Sequence, residues 1–364
     1  MARIVLFGAT GYTGRLTAHA LFEHGADFAI AGRNRSKLEE LADATGHPDV
    51  RVAAIGDVDA LIAALDGASV LITCVGPFVE LGQTAVEAAL AAGTHYIDIA
   101  GEGVFVARLI AEKDAAAKER GIVMAPCMGF DEVPGDVAVA LATEGMRQAE
   151  VDLTYAVPTT PSVGTIKSSL GVVLAPGSRI VDGHPESVNA AQRSRWAPMP
   201  PPIGPRQSIS VPLAIAHLAP MHVDLKRFET FFTVGRIQKA LARPGLGALR
   251  AALKVPGASA LADKAISLLP AGPGEEARTA RWTILAEAAD DSGWRNVVVQ
   301  GRDGYGLTAQ TLTAGAMALA DRAGGATGVL PPVEAIGLDV LQKTLTDQDV
   351  QIDVYGPTDD PRGE

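Results

Sequence analysis

The sequence is poor in cysteine and in clusters of metal-binding or nucleophilic side chains. Cys74 and Cys127 are its only cysteines, and they show neither CxxC spacing nor a neighbouring His/Cys cluster. The histidines are scattered, and neither a Ser-His-Asp order nor a GxSxG pattern occurs. These absences argue against a zinc site, a disulfide framework and a hydrolase, and we predict that the protein holds no metal.

Aromatic side chains and long apolar runs are scarce as well. Aromatic residues make up 5% of the chain, so Ala, Val, Leu and Ile must form most of the core, which suits helix-on-sheet packing. Glycine, proline or charge interrupts each apolar stretch before the roughly 18 residues of a membrane span, and no signal-peptide core precedes the first strand pattern. We expect a soluble, cytoplasmic protein without a transmembrane segment, for which peripheral membrane contact stays open.

Positive charge is in deficit, since 31 Lys and Arg face 42 Asp and Glu for a net charge of −11. This balance argues against a nucleic-acid partner. The 226–254 stretch is an exception, because it is locally basic and has leucines interleaved with its cations. It can dock an acidic carrier protein, an acyl chain or a membrane surface, or it can be a pair of ordinary surface helices. The basic residues of this stretch are Lys226, Arg227, Arg236, Lys239, Arg243, Arg250 and Lys254.

Strand and helix patterns alternate along residues 1–126, and the strand patterns are continuously apolar. This alternation predicts a Rossmann-type α/β domain with a doubly wound parallel sheet. Within it, Ser36 and Glu39 have the spacing of a capping box at the start of a helix. The predicted strands are 3–7, 28–31, 50–55, 70–75, 95–98 and 122–125, and the helices between them are 14–23, 36–42, 57–65, 83–92 and 104–120.

The sequence pattern changes near residue 150, where segments that alternate apolar and polar residues begin. Four of them, at 151–157, 228–234, 282–288 and 295–300, predict a second, α+β domain on a mainly antiparallel sheet. A long helix is predicted over 305–322. The predicted organisation is a Rossmann domain over 1–128, a substrate and dimerisation domain over 129–303, a returning segment over 304–350 that packs on the first domain, and a disordered tail over 357–364.

A glycine-rich loop carries the strongest chemical signal. Three glycines, Gly8, Gly11 and Gly14, follow the first strand and open a helix. In this context they permit a tight turn, close approach to a pyrophosphate, and close packing of helix on strand. The helix N-terminus adds N–H groups and a positive dipole end, so the loop predicts a dinucleotide site. Three side chains between the glycines can add contacts to the phosphates, namely Thr10, Tyr12 and Thr13.

The end of the second strand selects the cofactor. An NAD site usually places a carboxylate there for the ribose 2′-OH, whereas this strand continues as Arg33-Asn34-Arg35 with Lys37 beyond. Arg33 can stack on the adenine and bind a 2′-phosphate in a bidentate manner. We therefore predict NADP(H), with Arg33, Asn34 and Lys37 in the site. Arg35 and Lys37 can equally be solvated charges at a helix start.

Two further loops are predicted to contact the cofactor. Asp57 follows the third strand, where it can bind the adenine amino group or cap the next helix. Val75-Gly76-Pro77 follows the fourth strand, at the position that lies beside the nicotinamide half in a Rossmann fold. A Gly-Pro pair is also an ordinary turn.

Taken in order, these motifs resemble the saccharopine dehydrogenase-like (saccharopine reductase) superfamily, and in particular its short bacterial branch of trans-acting enoyl reductases. The resemblance is strong in the first domain and weaker in the second. The motifs that carry it are Gly8–Gly14, Ala31–Arg33, Cys74–Phe78, His95–Asp98 with Gly101-Glu102, Gly129–Asp136, Gly164–Ser168, Gly304-Tyr305 and Gly325–Thr327.

The resemblance implies an NADP-binding Rossmann domain, a substrate domain with a cleft between the two, and hydride transfer to a C=C or C=N bond. We expect a homodimer that acts on a small-molecule or acyl-carrier-bound substrate. The chain is shorter than authentic saccharopine reductases, and it shows no clear arginine pair for substrate carboxylates. Both departures disfavour an amino-acid substrate.

Four residues are candidates for the chemical step. Tyr96 and Asp98 end the fifth strand, Asp131 follows the sixth strand, and Lys167 lies in a Gly-Thr loop of the second domain. The ends of parallel strands form the crevice where open α/β sheets bind ligands. Each candidate also has a structural interpretation, as core (Tyr96), helix cap (Asp98, Asp131) or solvated charge (Lys167), and the proton that accompanies hydride transfer can come from solvent.

The leading functional hypothesis is an NADPH-dependent reductase of an activated C=C bond in an apolar or carrier-bound substrate. An imine reductase or amino-acid dehydrogenase of the saccharopine type is the enzymatic alternative. A non-catalytic NADP-sensing protein is the third hypothesis, because a Rossmann fold does not prove turnover.

Overall fold

The computed structural model describes residues 3–157, 172–253 and 279–357. Its strands, in chain order, are β1 (Ile4–Phe7), β2 (Phe28–Gly32), β3 (Asp49–Val52), β4 (Val70–Thr73), β5 (His95–Asp98), β6 (Val123–Ala125), β7 (Ala149–Ala156), β8 (Gly177–Val181), β9 (His184–Val188), β10 (Ser194–Ala197), β11 (Arg206–Ser210), β12 (Leu225–Thr233), β13 (Trp282–Asp290), β14 (Gly293–Gly301), β15 (Gly328–Val329) and β16 (Gln351–Tyr355).

The described helices are α1 (Tyr12–Glu23), α2 (Arg35–Ala44), α3 (Val58–Ala64), α4 (Phe78–Leu81), α5 (Gln83–Ala92), α6 (Gly103–Arg120), α7 (Val133–Ala142), α8 (Ile215–Leu218), α9 (Arg236–Leu253), α10 (Gly304–Ala320), α11 (Pro332–Ile336) and α12 (Leu338–Asp347). Contacts divide the chain into two units. The first contains Met1–Val133 and Gly304–Gln348, and the second contains Pro134–Asp303 and Asp349–Glu364.

This division differs from the predicted boundaries at two places. The segment from Gly129 to Val133 stays with the first unit, because the backbone N–H of Phe130 donates to Thr308 Oγ1 of α10. Residues from Asp349 onward go with the second unit, because β16 pairs with β14. Most of the predicted tail, residues 358–364, lies outside the described residues.

The first unit contains a seven-stranded parallel sheet with the strand order β15-β6-β5-β4-β1-β2-β3. Its first six strands have the 3-2-1-4-5-6 order of a Rossmann fold, which confirms the predicted fold class. Strands β1, β2 and β4 are buried throughout, as continuously apolar strands are when helices cover both faces. The seventh strand, β15, has two residues and is too short to leave a sequence pattern.

The N-cap of α2 differs from the prediction, whereas the N-cap of α3 agrees with one of the two predicted alternatives. Helix α2 is capped by Asn34 and not by Ser36, since Asn34 has extended backbone and its Oδ1 accepts the N–H of Lys37 at 3.1 Å. Asn34 satisfies the first-turn donor that the predicted capping box assigned to Ser36, so the cap lies two residues earlier. Helix α3 is capped by Asp57, whose Oδ1 accepts the N–H of Ala60 at 2.9 Å.

The sheet of the second unit has the order β10-β11-β12-β7-β13-β14-β16, with β8 beside β12 and β9 beside β8. The pairings are antiparallel except between β12 and β7, which run parallel. This mixed sheet confirms a second α+β domain. Its largest fully buried side chain, Trp282, packs against the Cα of Gly301.

Charged side chains line one face of this sheet in register. Glu229, Asp152 and Glu287 stand opposite each other on β12, β7 and β13. Arg195 joins Asp152 and Glu287, with 2.6 Å in each ion pair, so these two carboxylates share its single positive charge. Arg193 pairs with Glu229 at 3.2 Å.

The basic 226–254 stretch does not form the predicted pair of surface helices. Lys226 and Arg227 lie in β12, where they pair with Glu150, and Arg227 also pairs with Asp152. Residues 236–253 form the single helix α9, which contains Pro244, and Lys254 lies outside the described residues. Among the described helices, none is both long and apolar enough to cross a membrane.

Candidate functional site

The glycine loop turns back on itself between β1 and α1. The N–H of Gly11 donates to the Gly8 carbonyl at 3.0 Å, and the N–H of Gly8 donates to the Ala31 carbonyl at 3.0 Å. Helix α1 then begins at Tyr12, with Gly11 as an N-cap that has no side-chain hydrogen bond and with no acidic residue in the first turn. The first turn of α1 can therefore present its N–H groups and positive dipole end to an anion.

Two glycines of this loop are required by close contacts. Gly8 has a φ of +82°, and a Cβ there would stand 2.6 Å from Val75 Cγ2. A Cβ on Gly14 would collide with the carbonyl oxygen of Gly8, which explains why helix and turn can approach so closely. These contacts match the roles that the glycine spacing predicts, and the loop fits a bound pyrophosphate.

The cations after β2 lie at the same edge of the sheet. Arg33, Asn34 and Lys37 are exposed, which leaves Arg33 accessible to a ligand beside the glycine loop. Asn34 uses its Oδ1 to cap α2, and Asp57 likewise caps α3, so both serve the structural role that their residue types favour. Their contact with the cofactor stays a prediction, as does that of Lys37.

The loop after β4 contacts both of its neighbours. Val75 lies against Gly8, and Gly76 and Pro77 lead into α4. The backbone N–H of Phe78 donates to Glu102 Oε1 at 3.1 Å, which ties the β4 loop to the β5 loop. Glu102 is 4% exposed, and the sequence marked it only as part of the Gly101-Glu102 motif after the fifth strand.

Tyr96 and Asp98 form an internal hydrogen-bonded pair. Both are fully buried, and the Tyr96 hydroxyl donates to Asp98 Oδ2 at 2.7 Å. Asp98 Oδ1 accepts the N–H groups of Ala100 and Cys127 at 2.8 and 2.9 Å. Burial raises the pKa of Asp98 to about 6, and burial together with the Asp98 charge raises the pKa of Tyr96 well above its usual value. The pair connects the end of β5 to the end of β6. Its burial fits the structural interpretation of both residues, and their part in the chemical step stays a prediction.

Asp131 is different, because it keeps part of its surface exposed. Its two carboxylate oxygens lie against the Cα atoms of Gly101 and Gly129, where an added Cβ on either glycine would stand 2.8 Å away. Burial of the carboxylate, reinforced by the nearby Glu102 charge, raises its pKa to about 6. A carboxyl group with this pKa can hold or release a proton near neutral pH.

The last predicted catalytic residue, Lys167, lies outside the described residues. Cys127 is fully buried, and burial together with the neighbouring carboxylates holds the pKa of its thiol well above the usual value. It is therefore a protonated core residue and a poor nucleophile. In the described ranges, His, Cys, Asp and Glu form no group that could hold a metal ion.

These features define a dinucleotide-binding Rossmann domain. Residues 4–124 match the family model of the saccharopine dehydrogenase NADP binding domain. The first domain is thus similar to the NADP-binding domain of this oxidoreductase family, which confirms both the resemblance noted in the sequence and the predicted cofactor, NADP(H).

Two relatives extend the comparison. A trans-acting enoyl reductase of Mycobacterium leprae is 39% identical over 145 residues, which cover 37% of this chain and 34% of the relative. The saccharopine dehydrogenase-like oxidoreductase of Mus musculus is 31% identical over 162 residues, which cover 40% of this chain and 38% of the relative. Each match thus spans little more than a third of the relative's length.

A solved structure matches the fold over nearly the whole chain. It is apo saccharopine dehydrogenase (L-Glu forming) from Saccharomyces cerevisiae, with a TM-score of 0.61, 13% identity, and coverage of 98% of this chain and 100% of that one. The second unit therefore shares its fold with a known protein even though the sequence similarity lies in the first.

Proposed function

We propose that the protein is an NADPH-dependent reductase of an activated C=C bond in an apolar or carrier-bound substrate. The observation that carries the proposal is Asp131, a partly exposed residue after β6 whose carboxyl group has a pKa of about 6. It lies at the same carboxyl edge of the sheet as the NADP-binding glycine loop, because the sheet is parallel.

In this proposal, bound NADPH supplies a hydride. The first turn of α1 binds the pyrophosphate, and Arg33 binds the 2′-phosphate. The carboxyl group of Asp131 holds the proton that the reduced substrate needs, and its raised pKa keeps a fraction protonated near neutral pH. The buried Tyr96–Asp98 pair does not contact substrate but fixes the loop ends on both sides of this carboxyl group.

Three arginines on the charged sheet face of the second unit are already paired, which argues against them as partners of an amino-acid carboxylate. Recognition of an amino-acid carboxylate calls for a free arginine, whereas Arg195, Arg193 and Arg227 of the charged sheet face are paired with carboxylates of the same unit. The relatives named trans-acting enoyl reductase point to the same class of reaction.

A substrate screen that follows NADPH absorbance tests the proposal. Turnover with α,β-unsaturated thioesters, and none with pairs of a keto acid and an amine, is the expected result. The opposite preference would establish the second candidate, a saccharopine-type imine reductase, which the whole-chain fold match favours. Tight NADPH binding without turnover of either class would instead indicate an NADP-sensing protein.

A further inference from the structure

Tyr12 and Tyr305 contact each other across 293 residues of sequence. Their ring centroids are 5.1 Å apart and their planes are at 89°, an edge-to-face arrangement. Tyr12 is the first residue of α1, directly after the glycine loop, and Tyr305 is in the first turn of α10. Both side chains are partly exposed, so the contact lies at the rim of the glycine loop and not in the core.

The same turn of α10 also holds the segment that carries Asp131. The N–H of Phe130 donates to Thr308 Oγ1 at 3.0 Å, and the Phe130 ring packs against the Cα of Gly304. Thr311 Oγ1 donates to the Met128 carbonyl at 2.7 Å. The first turns of α10 therefore connect the segment before Asp131 to the glycine loop.

These contacts link the loops into a closed series around the carboxyl edge of the sheet. The β1 loop touches the β4 loop through Val75, the β4 loop is bound to the β5 loop by Glu102, and the β5 loop touches Asp131 through Gly101. Helix α10 then leads from the Asp131 segment back to Tyr12. Tyr305 supplies the side-chain contact that completes this closed series of loop contacts.

We propose that Tyr305 is a positioning residue for the dinucleotide. By packing edge-on against Tyr12, it fixes the first turn of α1, whose N–H groups face the pyrophosphate in the proposed binding mode. The inference rests on the NADPH binding in the proposed function, and it adds a residue from the far end of the chain to the cofactor site. Edge-to-face aromatic pairs of this kind change an equilibrium constant by about 2- to 13-fold.

Binding titrations with two ligands test the inference. NADPH engages the pyrophosphate turn, whereas adenosine 2′-monophosphate has no pyrophosphate and depends on the Arg33 side of the site. We expect Tyr305→Ala to lower the affinity for NADPH about 10-fold and to leave the affinity for adenosine 2′-monophosphate unchanged. Tyr305→Phe keeps the ring and should restore NADPH binding. Tyr355, a half-exposed tyrosine on β16 of the other unit, provides the control Tyr355→Ala, which should bind both ligands normally.

Additivity provides a second readout. If Tyr305 acts through Tyr12, then Tyr12→Ala combined with Tyr305→Ala should weaken NADPH binding no more than the stronger single variant. Unchanged NADPH binding in Tyr305→Ala, or an equal loss for both ligands, would overturn the inference. If Tyr305→Ala fails to fold, Tyr305→Leu removes the ring edge while it keeps apolar volume, and the same criteria apply. Failure of the wild-type protein to bind NADPH would overturn the proposed function itself, which separates the two outcomes.

Discussion

Asp131 and Gly101 are in direct contact, since the Asp131 Oδ2 atom occupies space that a side chain at position 101 would need. Gly129 contacts the other carboxylate oxygen in the same way. The carboxyl group is thus held between two backbone segments, and this placement partly shields it from water and raises its pKa to about 6.

Gly101→Ala tests this contact. The added methyl group would stand 2.8 Å from the carboxylate oxygen, so Asp131 must shift, and we expect kcat to fall about 10-fold. The matched control is Gly247→Ala in α9, where an added Cβ meets nothing within 4 Å. Steady-state kinetics on the substrate found in the screen measures both. Normal kcat in Gly101→Ala would mean that the position of this carboxyl group is unimportant.

Asp131→Asn removes the proposed proton donor. Because the acid is active when protonated, wild-type kcat/KM should decrease as the pH rises through about 6. The kcat of the variant should be about 100-fold lower than that of the wild type. The decrease of kcat/KM with rising pH should be absent from the variant. NADPH binding should stay normal, as a control for folding. An unchanged profile would indicate that solvent supplies the proton.

Asp98→Asn tests the buried pair through stability. The folded-state pKa of Asp98 is raised from 3.8 to about 6, so its contribution to stability is present below pH 4 and is lost as the pH rises through 6. Over this pH range, ionisation of Asp98 lowers the free energy of unfolding of the wild type by about 3 kcal/mol. The amide keeps an acceptor for the two backbone N–H groups and can donate to the Tyr96 oxygen, so the variant should lose less stability between pH 4 and pH 7. Denaturant unfolding at several pH values measures the difference, and parallel curves for the two proteins would contradict it.

Arg33→Ala tests cofactor selection. Loss of charge-assisted hydrogen bonds to a 2′-phosphate should lower the affinity for NADPH about 10- to 100-fold and leave the affinity for NADH nearly unchanged. Arg35→Ala is the matched control, because Arg35 is exposed and makes only a long 3.8 Å contact with Glu39. Fluorescence titration of both cofactors measures the ratio. Equal losses of NADPH and NADH would show that Arg33 does not read the 2′-phosphate.

Local sequence patterns were sufficient for the first domain. The Rossmann strands are short and continuously apolar, and Gly8 and Gly14 lie where neighbouring atoms leave no room for a Cβ, so local sequence reveals both the fold and the cofactor loop. The cap of α2 was misplaced by two residues, because Asn34 and Ser36 are both good caps and only the backbone conformation separates them.

The candidate residues for the chemical step could not be ranked from the sequence. Tyr96 and Asp98 end one strand and Asp131 follows another at the same edge of the sheet, and their residue types suit proton transfer equally. Their different burial depends on contacts of Asp98 with Cys127 and of Asp131 with Gly101, each of which lies in another loop. A residue's solvent exposure and pKa are set by such neighbours, and a single sequence does not show which loops meet.

The sequence by itself determined the dinucleotide loop, the preference for NADP(H) and the two-domain α/β architecture, because each depends on residues close together in the chain or on strand periodicity. The tertiary structure decided that Asp131 is accessible while Asp98 is not, that the basic residues of β12 are neutralised by carboxylates of the same sheet, and that Tyr305 reaches the glycine loop. These facts depend on which distant segments pack together, and packing is settled by the whole fold and not by any local run of residues.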